Sequence, residues 1–362
     1  MKNSINNIFF LFSVVFFLSC QKNPVTETPP PTPDDTTIIY DSKIGAFVTN
    51  LKGDLENEFQ DSVLNRLHAR YIRNTIVLEK WAGMSRDYEY YENLGYKTLL
   101  NIHNAPTSRN DPAAFPTDTV TYKIKLDEVL SKYSPEVVII ENEPGNFQQH
   151  KGSMQDYLNQ LRAAMTVVHA HGLKGADGGL STRPLTFLVY RYYFNNGEFD
   201  KADDFAKRCI PDKYIFNLSK PGRDAQFEKQ ISKWDSLVAG YAQIPIDYVT
   251  VHLYEPILYR NEDNCTALSA SVTAATPGAF QEIADYLYAE TGKHIISNEM
   301  GQLNLQPGLV SSMLKVCNQV RMPYSIWWSG DWGLDNSYAL HEIDGSLRTN
   351  GIAFRDFIDL HK

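Results

Sequence analysis

Two short stretches each run from an apolar strand into a glutamate. Val137-Val138-Ile139-Ile140 leads directly into Glu141-Asn142-Glu143-Pro144, and His294-Ile295-Ile296 leads into Ser297-Asn298-Glu299. Consecutive β-branched apolar residues predict a strand buried on both faces, as in a parallel sheet. Proline has no amide hydrogen to give to a ladder, so the first strand must stop by Pro144. Each glutamate is therefore expected at the carboxyl end of a core strand, where parallel α/β folds bind ligands and carry out chemistry. Two carboxylates facing one cleft are the minimum equipment for acid/base cleavage of a glycosidic bond. Glu141 is a rival for the acid position, because it shares a face with Glu143 if the strand persists that far.

The elements that would position these residues alternate from about residue 38 onward. Strands are predicted over 44–49, 71–77, 97–102, 172–178, 248–252 and 324–328, in addition to the two stretches above, with helical periodicity between them. The helix predicted over 154–171 is closed by Gly172, the residue type that caps helix C-termini. Eight β-then-α units predict an α/β fold, the (β/α)8 TIM barrel, as a single domain over 38–362. A doubly wound open sheet is the alternative, and no Gly-rich nucleotide loop supports it. The widest gap lies between the fifth and sixth strands. Around 183–226 the chain is rich in Tyr, Phe and Arg, and it reads either as an insertion on the active face or as an extra helical pair.

The predicted strand exits collect Asn50; Arg73 and Asn74; His103 and Asn104; Asn142 and Glu143; Asp177; His252 and Tyr254; Asn298 and Glu299; and Trp327, Trp328 and Asp331. Taken singly, each has an ordinary explanation as a surface ion pair, a satisfied core histidine or a core tryptophan. Their concentration at one face of one barrel is what points to a site. The arrangement resembles clan A glycoside hydrolases, retaining (β/α)8 enzymes. In that clan an Asn-Glu pair ends the fourth strand and a second Glu ends the seventh. Asn142-Glu143-Pro144 ends the predicted fourth strand and Glu299 ends the predicted seventh.

The resemblance implies that Glu143 is the general acid/base and Glu299 the nucleophile. It implies that Asn142 bonds the sugar 2-hydroxyl, that Tyr254 holds or tunes Glu299, and that Arg73 keeps the nucleophile ionised. His103 and His252 would line the sugar subsite, and Trp327 or Trp328 would offer a stacking platform. The expected activity is retaining hydrolysis of a β-linked oligo- or polysaccharide by double displacement. One alternative is a carbohydrate-binding barrel without turnover, against which the intact Glu143 and Glu299 speak. Another is an unrelated barrel enzyme such as a lyase or a metal-dependent hydrolase; the lack of a His/Asp ligand cluster at suitable spacing argues against the metal form.

The 362 residues carry a formal net charge of −9 and are 43% hydrophobic and 12% aromatic. No basic stripe is visible, so nucleic acid is not an expected partner. No C-x-x-C, H-E-x-x-H or EF-hand pattern appears, so no metal or other cofactor is implied. At the N-terminus, Lys2 precedes an apolar run over 8–18 that is too short for a comfortable membrane span. It reads as a signal peptide over 1–20. Phe17-Leu18-Ser19-Cys20 resembles a bacterial lipobox, and Gln21 after the cysteine resembles lipoproteins sent on to the outer membrane. The expectation is export, lipidation of Cys20 and a membrane anchor, with the Pro/Thr-rich segment 21–37 as an extended tether. An ordinary secretory signal with an incidental cysteine is the alternative. Cys209, Cys265 and Cys317 remain, an odd number that allows one disulfide and leaves one thiol.

Overall fold

The computed structural model describes residues 42–49, 57–106, 111–210, 225–254, 270–301, 307–330 and 339–361. Cys20, the signal and linker segments, Asn50, Cys265 and Asp331 lie outside the described residues. Eight strands build the centre: β1 (Lys43–Val48), β2 (Tyr71–Val77), β3 (Lys97–His103), β4 (Val137–Ile140), β5 (Gly175–Asp177), β6 (Tyr248–Tyr254), β7 (His294–Gly301) and β8 (Tyr324–Ser329). Each pairs in parallel with the next, and β8 pairs with β1, so the sheet closes into the expected barrel.

Alternating side chains supply two separate apolar layers. Leu99, Val137, Ile139, Ala176, Ile296, Tyr324 and Ile326 meet inside the barrel. Their strand neighbours Leu100, Val138, Ile140, Val249 and Val251 belong to the layer between barrel and helices. Successive strand residues point to opposite faces, which is why a strand enclosed on both sides is apolar at every position. All four residues of β4 are buried.

The helix after β4, α4 (Met154–Ala170), begins with a capping box between Ser153 and Asp156. It ends at Gly172, whose φ of +68° is the left-handed conformation a C-cap glycine adopts. After β5 come α5 (Thr182–Asn195) and α6 (Phe199–Cys209), followed by α7 (Ala225–Tyr241) before β6. Of the two readings of this region, the extra helical pair is the one observed. Arg208 of α6 donates to Glu282 of α8 (Ala270–Thr291) at 2.8 Å, which fastens the pair to the outer ring of helices. Cys209 and Cys317 are buried free thiols and belong to the core.

Candidate active site

Two backbone irregularities bring the glutamates into the barrel mouth. Strand β4 stops at Ile140, and Glu141 and Glu143 both take left-handed conformations, with φ of +66° and +47°. The strand alternation therefore does not continue, and Glu141 and Glu143 do not share a face. Glu141 turns back toward α4, where Gln160 Nε2 donates to its Oε1 at 2.6 Å. Glu143 turns to the mouth instead. In β7 the pairing register shifts on both sides, between Ile296 and Glu299 against β6 and between Ser297 and Met300 against β8. Such a bulge places an extra residue on one face and re-aims the side chain after it. Asn298 and Glu299 accordingly both reach the barrel interior.

The two carboxylates are held from different sides. Arg73 of β2 donates from Nη1 to Glu299 Oε2 at 2.5 Å and from Nη2 to Asn142 Oδ1 at 2.8 Å. The Tyr254 hydroxyl donates to Glu299 Oε1. Glu143 Oε2 accepts from Asn146 Nδ2 at 2.8 Å, and its Oε1 accepts from Ser181 Oγ at 3.0 Å. His252 joins the two halves. Its Nδ1 is 3.1 Å from Glu143 Oε1 and 3.9 Å from Glu299 Oε1, so by that triangle the two oxygens lie no more than about 7 Å apart. On the other side of the ring, Nε2 bonds Asn298 Oδ1 at 3.0 Å. Asn298 in turn donates to Asn101 Oδ1 at 2.9 Å.

The charges follow from these contacts. Burial alone would raise Glu143, but the bond and charge of His252, with Asn146 and Ser181, outweigh it and hold the carboxyl at about 2. Burial likewise acts to lower His252, yet the charges of Glu299 and Glu143 leave it above the ordinary imidazole range. His252 Nε2 faces an amide oxygen and Nδ1 faces a carboxylate, so both ring nitrogens have acceptors and the imidazolium is the matching form. His103 is pushed down to about 3 by desolvation, then by Arg73 and His150, and stays neutral.

Of the residues singled out in the sequence, Arg73, Asn142, Glu143, His252, Tyr254 and Glu299 form one connected cluster. His252 is fully buried, with its Nδ1 against both carboxylates. The two tryptophans separate. Trp328 is half-buried and lies edge-on to Tyr254 at 6.0 Å between centroids. Trp327 is fully buried against Phe354 of α10 (Thr349–Leu360) and cannot be a platform. Strand alternation requires this split between neighbours. Sequence reading missed Ser181, Asn146 and the glycines beneath the site. A Cβ on Gly179, at φ +101°, would stand 2.3 Å from His252 Nε2, and one on Gly178 would stand 2.6 Å from the Ile140 carbonyl oxygen. The Gly178-Gly179 pair after a short strand was the only available signal for that close approach. Among the described residues no group of three His, Cys, Asp or Glu is placed to hold a metal ion.

No protein-family model matches the sequence, and a search of curated proteins finds no match. Solved structures share the architecture. A hyperthermophilic β-glucosidase from Pyrococcus furiosus has a TM-score of 0.57 at 10% identity, over 89% of this chain and 96% of that one. A GH5-4 broad-specificity endoglucanase from Clostridum cellulovorans has a TM-score of 0.52 at 12% identity, over 90% and 96%. A GH128 subgroup II endo-β-1,3-glucanase from Sorangium cellulosum has a TM-score of 0.52 at 15% identity, over 86% and 97%. At these identities the likeness is one of fold, an eight-stranded parallel barrel ringed by helices.

Glu141 remains as a buried acid outside the cluster. Its Oε1 accepts from Gln160 and from the Asn104 amide at 2.9 Å. Burial pushes it up to about 7 against the opposing effect of those two bonds. A raised carboxyl binds its proton in the native state at pH values where the unfolded chain has lost it. Stability should therefore fall as pH rises from about 4.5 to about 7, by on the order of 3 kcal/mol. Glu141→Gln keeps an acceptor for both donors and removes the titration. Urea unfolding from pH 4.5 to 8 should show a smaller total fall in the variant than in the wild type, with the part between about pH 6 and 7 largely lost. The remainder belongs to Asp177, whose carboxyl burial raises to about 6 in both proteins. Equal pH slopes in the two proteins would overturn the assignment.

Proposed function

We propose that this protein is a retaining β-glycoside hydrolase acting on oligo- or polysaccharide. One observation carries the reading: two carboxylates at the mouth of one barrel share a single histidine and otherwise sit in different surroundings. Paired titratable groups in unlike environments are the usual basis for dividing acid from nucleophile. Their facing oxygens lie no more than about 7 Å apart, a limit that accommodates the retaining separation of about 5–5.5 Å.

In this mechanism Glu299 attacks the anomeric carbon. Arg73 and Tyr254 orient its two oxygens and stabilise its charge. Asn142 turns its Oδ1 to Arg73, leaving the amide nitrogen for the sugar 2-hydroxyl. Glu143 protonates the leaving oxygen as the bond breaks, and afterwards takes a proton from the water that releases the glycosyl group from Glu299. Glu143 and His252 together hold one proton, and it resides on the imidazole. It passes to Glu143 as the glycosidic oxygen takes its place beside the carboxylate. Trp328 offers a ring face to the sugar's apolar C–H surface.

Glu299→Ala should lose activity on every substrate, because no covalent intermediate can form. Glu143→Ala should complete the first step on an activated aryl glycoside and then stall. Intact-mass analysis should show a glycosyl adduct on Glu299 in that variant. Full activity of Glu143→Ala would remove Glu143 from the acid role.

The shared proton also sets the pH profile. His252 is raised, so the pair keeps its proton as pH climbs through the ordinary imidazole range near 6.5. The alkaline limb of kcat/KM should lie above that range. In His252→Asn the proton depends on Glu143 alone, and the limb should move down by about one unit or more. An unmoved limb would separate His252 from the proton inventory.

The N-terminal motif supports a second part of the proposal, export and anchoring to a bacterial membrane through a lipid on Cys20. Cys20→Ala should shift the protein from the membrane fraction to a soluble or unprocessed form. Recovery of the wild type in the soluble fraction would rule the anchor out.

A further inference from the structure

We infer that Phe147 is a stacking platform for a sugar ring on the leaving-group side of the cleft, so the substrate's leaving group is itself a saccharide. This rests on the glycosidase reading and extends it to a subsite. The position follows from how Glu143 is held. Its Oε1 faces Ser181 and His252, and His252 also approaches Glu299. Its other oxygen, Oε2, is held by Asn146, the residue before Phe147. Asn146 thus holds the acid from the turn after β4, by the oxygen other than the one that Ser181 and His252 hold. The acid touches the leaving group during cleavage, so the ground beside Asn146 is where that group rests.

The segment carrying Phe147 is a tied turn. The Asn146 amide donates to the Glu143 carbonyl at 2.8 Å, and the amides of Gln149 and His150 both donate to the Asn146 carbonyl at 3.0 Å. Asn146 Oδ1 accepts from the Gln148 amide at 3.0 Å. Beneath the turn, Gly145 lies on the Trp234 indole so closely that a Cβ would stand 2.6 Å from the ring. From this turn Phe147 projects with 74% of its surface exposed, more than any other phenylalanine among the described residues. Other exposed rings are paired: Phe194 lies on Phe199 at 5.0 Å, and Tyr288 on His294 at 5.3 Å. Phe147 has no ring partner among the described residues. A phenyl ring carried on a tied turn has only two side-chain torsions to fix on binding and gains the burial of an apolar face. A pyranose ring presents such a face through its axial C–H groups.

The test uses the full chain with Phe147→Ala and Phe147→Trp. The substrates are cello- and laminari-oligosaccharides, and β-cellobiosyl and β-laminaribiosyl fluoride, whose leaving group has no ring. Phe147→Ala should lower kcat/KM on the oligosaccharides by about tenfold or more, chiefly through KM, a loss equivalent to one stacked ring. Hydrolysis of the fluorides should stay within about twofold, and Phe147→Trp should restore oligosaccharide cleavage. An equal loss on both substrate types, or no loss on either, would overturn the subsite. A wild type inert toward these and also toward manno-, xylo- and galacto-configured β-oligosaccharides and aryl β-glycosides would instead overturn the glycosidase reading, and the subsite with it, before any variant is compared.

Discussion

Two carboxylates within about 7 Å of each other on a desolvated floor repel one another, and much of the barrel mouth is arranged around that repulsion. At an effective dielectric of about 20 the cost is roughly 2 kcal/mol, before either group's own desolvation. The structure answers with one cation for each. The Arg73 side chain is 5% exposed and lies against Glu299, while His252 is wholly buried against Glu143. A guanidinium keeps its proton at any accessible pH and an imidazole does not. The pairing therefore gives Glu299 a permanent counter-ion and Glu143 a proton that can be exchanged. Chemical asymmetry between two identical side chains arises here from their partners alone.

The same floor explains the irregular backbone. Ordinary alternation along β4 and β7 would not put Asn142, Glu143, Asn298 and Glu299 all toward one cavity. A bulge in β7 and two left-handed residues after β4 achieve it. Non-glycine residues in that conformation cost about 1 kcal/mol or more each, and they persist when their surroundings over-determine them. The backbone from Glu141 to Glu143 is tied in this way. The Glu141 amide donates to Ile102, and the Glu143 amide to Gly178. The Glu141 carbonyl accepts from Asn101, and the Asn142 carbonyl bonds His150. Gly178 and Gly179 permit the approach, since any side chain there would occupy the space of the turn or of the His252 ring.

Below this polar floor the barrel interior is apolar, closed by residues such as Leu99, Val137, Ile139, Ile296 and Ile326. That plug keeps water from reaching the ion pairs from beneath. A dry underside strengthens every hydrogen bond above it and makes an unpaired charge costly. Such barrels carry many chemistries, so the shared architecture at 10–15% identity speaks to packing rather than to reaction. Chemistry on such a fold depends on the side chains connected at the mouth.

The sequence by itself determined the barrel, because an apolar run enclosed on both faces and ended by a polar residue is a local pattern repeated once per strand. It also located the cluster members Arg73, Asn142, Glu143, His252, Tyr254 and Glu299, since strand exits are readable from where the runs stop. Tertiary structure decided what depends on direction and distance. Strand alternation was visible, but the bulge at Ser297–Glu299 and the turn at Glu141 break it, and a pattern of period two cannot show its own interruption. For that reason Glu141 read as a rival to Glu143, although it faces Gln160 behind the strand. Which tryptophan faced the cleft was likewise open until packing placed Trp327 against Phe354. Ser181 gave no local sign of its role, because its contact with Glu143 exists only once β4 and β5 stand side by side. Asn146 is three residues from Glu143, but its reach back to the carboxylate follows from the left-handed turn there, which the sequence pattern does not show.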